Sequence, residues 1–294
     1  MALVQIKSLV KKNWKNFRFY LSSNDNFLFL FYYKYLYSPK KNSLSEFISN
    51  YSLSKKGDDF FVIQIGANDG ITHDPIHKFI KRDRWKGVLL EPQPEVFEKY
   101  LKKIYKKHQG LNPICAAIGY KDGFQKLYKI GFCDMRWATG LASFSLEKIE
   151  KLFEDGIIQK NCEKLGIEIP SELDKQITFE EVNVISSETL LKTYGISKID
   201  LLQIDAEGFD LEILRIFDIP KSQPEAIIFE NENLDAKDLY SQNISQINIG
   251  SGFETSIHDL AYSIAEIVDY KGDVKFDLTK PDGTVRKLMD SNLL

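Results

Sequence analysis

The sequence predicts an α/β protein with a Rossmann-like, mostly parallel sheet and helices on both faces. Three observations predict it. Near-continuous apolar runs of strand length alternate with segments whose apolar residues recur at helical spacing. The first run, "FFVIQIG" at Phe60–Gly66, opens into a loop with glycine at both ends, Gly66 and Gly70. At 294 residues the chain is long enough to bury a sizeable core in one or two domains.

The elements follow in order from Asp59. "PIHKFIKRD" (Pro75–Asp83) has helical spacing. "GVLLEPQP" (Gly87–Pro94) is a second strand, ended by its prolines. "EVFEKYLKKIYKKH" (Glu95–His108) carries an apolar stripe at Val96, Phe97, Leu101, Ile104 and Tyr105. "PICAAIG" (Pro113–Gly119) reads as a third strand and "KIDLLQID" (Lys198–Asp205) as a fourth. The helix "FDLEILRIF" (Phe209–Phe217) follows, and "EAIIFENE" (Glu225–Glu232) is a fifth strand. Between Gly131 and Phe179 the pattern loosens into an insert containing "GLASFSLEKIEKLFEDG" (Gly140–Gly156), a loop and helix. Its place before the fourth strand suits a lid over the sheet's carboxyl ends.

This gives three regions: a basic, aromatic, helical extension over 1–58, an α/β domain over 59–240 and a C-terminal segment over 241–294. The extension has no signal-peptide pattern, because charges interrupt it before a long apolar stretch forms. Its uncharged run Asn26–Tyr33 is far short of the roughly 20 apolar residues that span a bilayer. Two readings stay open: a helical cap that buries its aromatics on the domain, or a peripheral membrane anchor with Lys and Arg meeting anionic lipid. A net charge of −3 argues against a nucleic-acid binder. Cys115, Cys133 and Cys162 form no C-x-x-C pair, which fits a reducing, cytoplasmic compartment.

In such sheets ligands bind outside the carboxyl ends of the strands. The first end is the loop Gly66, Ala67, Asn68, Asp69, Gly70, whose glycines permit close backbone approach. The second is Glu91, 21 residues after Gly70, placed to accept hydrogen bonds from both hydroxyls of a ribose. Together they predict a nucleotide-type site, but the spacing does not choose the cofactor. The dinucleotide fingerprint wants G-x-G-x-x-G, and this loop has G-x-x-x-G. A Tyr-x-x-x-Lys pair of reductase type occurs at Tyr37/Lys41, Tyr51/Lys55 and Tyr194/Lys198; the first two precede the loop and the third contains glycine.

The fourth strand ends at Asp205, with Glu207 two residues on and a glycine turn into a helix. Two carboxylates in a tight strand-end turn are costly unless solvated, paired or used. They are either acids stabilising a helix N-terminus or groups that orient a substrate hydroxyl and take its proton. His73, just after the loop, is a second candidate base. Both carboxylates are hard oxygen ligands, but two alone do not define a metal site, and none is assigned.

"VIQIGANDG", "GVLLEPQPEVFEKY", "AAIG", "LASF" and "IDLLQIDAEGFDLEIL", in that order, resemble the FkbM-type methyltransferase family over about 59–234. The resemblance implies a class I methyltransferase fold, S-adenosylmethionine as cofactor, and O-methylation of a sugar, glycan or related small-molecule hydroxyl. It maps the cofactor loop onto Gly66–Gly70, the ribose acid onto Glu91, and the motif beside the reacting centre onto Asp205 and Glu207, with Asp205 also among the cofactor-binding residues. Gln64 departs from the pattern, since related sequences often carry an acid there that helps hold the cofactor's methionine end.

The segment Gln246–Leu294, with "IGSG", "SIHDLAYSIAEIV" and "KPDGTVRK", is similar to the C-terminal part of GDP-fucose synthase, an NADP-dependent epimerase–reductase. That resemblance implies a nucleotide-sugar contact through Asp282 and Lys287. The chain has no matching NADP half, so the alternatives are a sugar-nucleotide epimerase–reductase and an inactive binding or scaffold protein. If the last two methyltransferase strands are absent, either the tail replaces them or the fifth strand is an uncovered edge.

Overall fold

Five parallel strands in the order β3-β2-β1-β7-β8 form the central sheet of the computed structural model. They are β1 (Phe61–Ile65), β2 (Lys86–Leu90), β3 (Leu111–Ile114), β7 (Leu201–Ile204) and β8 (Ala226–Ile228). The structure describes residues 14–206 and 209–229. The chain divides into two units, Met1–Ser245 and Gln246–Leu294, and every described residue belongs to the first. Glu207, Asp282, Lys287, the expected end of the fifth strand and the fate of the last two strands lie outside the described residues.

β1 sits at the centre because both of its faces are apolar. Val62 is fully buried in a cluster with Phe79, Ile80, Trp85 and Leu101, while Ile63 and Ile65 are buried on the opposite face. The chain winds from β1 through β2 to β3, then returns to place β7 on the other side of β1. The order therefore reverses between β1 and β7, which makes that crevice the topological switch point.

The predicted helices are present as α4 (His77–Asp83) and α12 (Asp210–Ile216). The long stripe forms one helix in three pieces: α5 (Pro94–Val96), a π-helical turn (Phe97–Leu101) and α6 (Lys102–Ile104).

Two expectations need correction. "PICAAIG" is not one strand. Leu111–Ile114 pairs with β2 at the edge of the central sheet, where Pro113 is tolerated. The chain then leaves at Cys115 and Ala116, and β4 (Ala117–Gly119) joins a second sheet of order β4-β6-β5. The loose insert is also more regular than expected. It is carried by an antiparallel pair, β5 (Gly123–Ile130) and β6 (Ile177–Ser186), in register from Gly123↔Val184 to Ile130↔Ile177. Between them lie four short helices: α7 (Arg136–Thr139), α8 (Leu146–Glu154), α9 (Ile157–Leu165) and α10 (Leu173–Gln176). They close on their own small core of Ile130, Ala138, Ile149, Ile158 and Cys162.

The N-terminal region is helical over 14–23 (α1), then α2 (Phe27–Phe31), a π-helical turn (Tyr32–Leu36) and α3 (Leu44–Ser54). Ser43 caps α3 by accepting from Glu46 N, and Glu46 reaches back to Asn42 N at 2.7 Å. Buried polar contacts tie α1 to the domain. The Lys81 ammonium donates to Ser22 O (3.0 Å), Ile104 O (2.7 Å) and Asp25 Oδ1 (2.6 Å). His77 lies between Ser22 Oγ and Tyr105 OH, each at 3.0 Å. Burial, with Lys81 beside it, holds this imidazole well below its usual pKa.

Candidate active site

The cleft at the switch point is built first by backbone. β1 ends at Ile65, and Gly66 turns over with φ +80°. A Cβ there would stand 1.9 Å from the Asp205 carbonyl oxygen, so only glycine lets the two strand ends meet. Asp205 N donates to Ile65 O at 2.9 Å, and Gly66 N and Ala67 N both donate to Leu90 O. The ends of β1, β2 and β7 are thus laced into one rim.

The loop holds its shape through its own acids. Asp69 Oδ1 accepts from Ile71 N (3.0 Å) and Thr72 N (2.7 Å). Gly70, at φ +69°, packs so closely on Leu101, Ile104 and Tyr105 that a Cβ would meet their side chains at 2.9–3.1 Å. Asn68 also has positive φ and donates its N–H to Glu91 Oε2 at 2.9 Å. Glu91 Oε1 accepts from Gln93 N (3.0 Å) and Gln93 Nε2 (3.2 Å). Glu91 is therefore more than a strand-end acid, because it pins the glycine loop to the segment after β2.

Only 2% of Glu91 is exposed. Burial pushes its carboxyl up to about 7, against the N–H donors of Gln93 and Asn68 and the nearby Arg136 guanidinium, which pull it down. Three hydrogen bonds leave about one acceptor position on the carboxylate, on Oε2; Glu91 lines the cleft, as does Asn68, whose Oδ1 is buried without a hydrogen-bond partner.

The insert forms the opposite wall. Tyr128 and Ser143 exchange both backbone hydrogen bonds at 2.9 Å, which lays "LASF" along β5. Ser145 then caps α8 by accepting from Lys148 N. This brings Ala142, Ser143 and Phe144 over the cleft, with Phe144 5.9 Å from the Phe209 ring. Gln93 Nε2 donates to Thr139 O at 2.9 Å, joining the wall to the Glu91 network. The Arg136 Nε lies 3.8 Å from Asp69 Oδ2. The cleft is partly open to solvent, with Ile65, Pro92, Ala116, Ile118, Leu127 and Ile213 supplying its apolar lining.

Gly66, Asn68, Glu91 and Asp205 line this one cleft. Ala67, Asp69 and Gly70 shape its loop from behind. Gln64 is buried beneath it and donates to Asp74 Oδ2 at 3.2 Å. Asp74 thus supplies a carboxylate beside the position where the family pattern often carries an acid. His73 is exposed and is not among the cleft-lining residues. Sequence reasoning did not single out Asp74, Gln93, Arg136 or Phe209. Gln93 lay inside the quoted "EPQP", but the helical start of Arg136–Thr139 has no side-chain cap that would announce it. Among the described residues no group of three or more His, Cys, Asp or Glu is arranged to hold a metal ion.

A parallel sheet of this order, flanked by helices and opening a cleft at its switch point, is the Rossmann-like fold of class I methyltransferases. The model of the methyltransferase FkbM domain matches residues 64–249, well over half of the chain. The chain belongs to the FkbM methyltransferase family.

Short local matches join it to a second kind of protein. GDP-L-fucose synthase of Escherichia coli (strain K12) is 55% identical over 47 residues, 16% of this chain and 15% of that protein. Putative GDP-L-fucose synthase 2 of Arabidopsis thaliana is 51% identical over 57 residues, 19% of this chain and 17% of its own length. The Sinorhizobium fredii (strain NBRC 101917 / NGR234) GDP-L-fucose synthase is 53% identical over 55 residues, again 19% and 17%. The chain thus spans about a sixth of these relatives' length. No solved structure matches the chain.

Proposed function

We propose that the chain is an S-adenosylmethionine-dependent O-methyltransferase acting on a hydroxyl of a sugar, glycan or related small molecule. The observation that carries this reading is the meeting of Gly66, Glu91 and Asp205 around one cleft at the switch point. The residues present suit the cofactor. Glu91 Oε2 keeps an acceptor position for a ribose hydroxyl, the orphaned Asn68 Oδ1 can take a second donor, and the Gly66 turn leaves room for close backbone approach. Gln64, at the position where related sequences often carry the methionine-end acid, donates to Asp74 and so has a carboxyl beside it.

When bound, the cofactor supplies an electrophilic methyl group on a sulfonium. The protein's part is alignment and proton handling. In this reading Asp205, just beyond β7 and lining the cleft, orients the acceptor hydroxyl and takes its proton as the oxygen attacks, and Glu207 shares this role. Phe144 and Phe209, with rings 5.9 Å apart, give the cleft an apolar wall beside the reacting oxygen. The three free cysteines support a reducing, cytoplasmic setting.

The local likeness to GDP-L-fucose synthases favours a second, additional reading: the C-terminal segment contacts a nucleotide-sugar through Asp282 and Lys287. It adds a ligand and does not replace the methyltransferase chemistry. The test of the main reading is transfer of labelled methyl from the cofactor to a panel of sugars and glycans. Asp205→Asn should lower turnover by roughly a hundredfold, the usual contribution of a positioned base. Wild-type turnover in both Asp205→Asn and Glu207→Gln would refute the assignment.

A further inference from the structure

The helix that runs from α2 through the π-helical turn shows solvent an apolar face that the fold does not use. Phe27, Leu28, Phe31, Tyr32, Tyr35 and Leu36 recur at helical spacing on one side. Phe27 and Leu28 are 74% and 73% exposed, and none of the six is less than 41% exposed. The rings form a row: Phe27 and Phe31 have centroids 6.0 Å apart, and Phe31 and Tyr35 4.9 Å apart. The opposite side holds the domain, with Tyr33 buried against His77. Six large apolar side chains on one solvent face form a patch of the kind that marks an interaction site.

Charge says what covers it. Before Glu46 the sequence has eight Lys and Arg residues and one acid, a net +7 in a chain whose total is −3, so the remainder carries −10. The lone acid, Asp25, is already paired with Lys81 and Arg84. Lys15, Lys34, Lys40 and Lys41 are exposed around the patch-bearing segment. Two copies meeting through this face would bring two strongly basic segments together. An anionic surface meets them without that cost, and Tyr and Phe are suited to headgroup depth. Among the described residues no helix is long and apolar enough to cross a membrane.

We propose that the Phe27–Leu36 face docks the protein on an anionic lipid bilayer, with its aromatic row at headgroup depth and the surrounding lysines on the lipid charges. The occupant is the bilayer surface itself, and the contact is peripheral and reversible.

Co-sedimentation of the intact protein with vesicles tests this, using phosphatidylcholine alone or mixed with phosphatidylserine, at low and high salt. Binding should require phosphatidylserine and weaken with salt. Phe27→Ser with Phe31→Ser should lower partitioning roughly tenfold or more, and Lys34→Gln with Lys41→Gln roughly twenty-fivefold, taking about fivefold for each lost lysine charge. Both pairs are exposed, so thermal melting should be unchanged. No binding to phosphatidylserine vesicles, or binding that both variants retain, would overturn the proposal. So would a concentration-dependent dimer abolished by the Phe pair without any vesicle binding, which would assign the face to a second copy.

Discussion

Gly66 and Asp205 meet across the switch point so closely that a Cβ on the first would overlap the carbonyl oxygen of the second, at 1.9 Å. Gly66→Ala therefore forces the two strand ends apart and strains a left-handed backbone as well. The left-handed conformation alone costs about 1–2 kcal/mol for an L-residue, and the clash adds to it. Thermal melting should fall, and cofactor affinity should fall further than stability predicts, because the displaced rim is the cleft floor.

Glu91 gives a pH dependence with a definite sign. Its folded-state carboxyl is raised to about 7 from an ordinary value of 4.5. Between those values the folded protein holds a proton that the unfolded chain has released. Stability from this group is therefore present below about pH 4.5 and declines as pH rises toward 7. Cofactor binding runs the other way, since accepting a ribose hydroxyl beside the three N–H donors of Asn68 and Gln93 requires the carboxylate. Affinity should drop up to tenfold per pH unit below 7 and level off above it. Glu91→Gln should flatten the profile, and calorimetry across pH reads both variants.

Arg136 acts on the same group from the insert, drawing the Glu91 carboxyl down. Arg136→Ala should move the midpoint of the affinity profile to higher pH. Gly140→Ala should shift it in the same direction, because a Cβ there would lie 2.1 Å from Arg136 Nη1 and displace the guanidinium. A purely structural role for Arg136 would lower melting without moving that midpoint.

Asp25 tests whether the N-terminal helices are part of the folding unit. The Lys81 side chain it pairs with is fully buried, and burial already depresses that ammonium's pKa. Asp25→Ala leaves the charge with two carbonyl acceptors and no counter-ion. It should cost about 3 kcal/mol in denaturant unfolding, as for other broken buried pairs. An unchanged midpoint would mean that the helices dock without contributing to the fold.

Much of the sheet was legible because its strands are continuously apolar and its loop glycines answer to backbone needs. Gly66 and Gly70 were read as sites of close approach, and both have positive φ and close neighbours. The second sheet was not legible. In β5 only Leu127 and Ile130 are buried among exposed or half-buried residues, so no clean alternation announces it. "PICAAIG" misled because an apolar run does not reveal where an edge strand leaves its sheet. In the site, Glu91 was found from its distance to the loop, but its grip on Asn68 N and Gln93 was not. Arg136 and Phe144 reach the cleft only through the Tyr128–Ser143 pairing, which joins residues with no shared local pattern.

The most direct test of the methyltransferase reading is calorimetric titration of the intact chain with S-adenosylmethionine, S-adenosylhomocysteine and NADPH. The two sulfur compounds should bind one site, weakly or not at all in Gly66→Ala, and NADPH should give no heat of binding. Binding of NADPH without either sulfur compound would contradict the reading and return the cleft to dinucleotide chemistry.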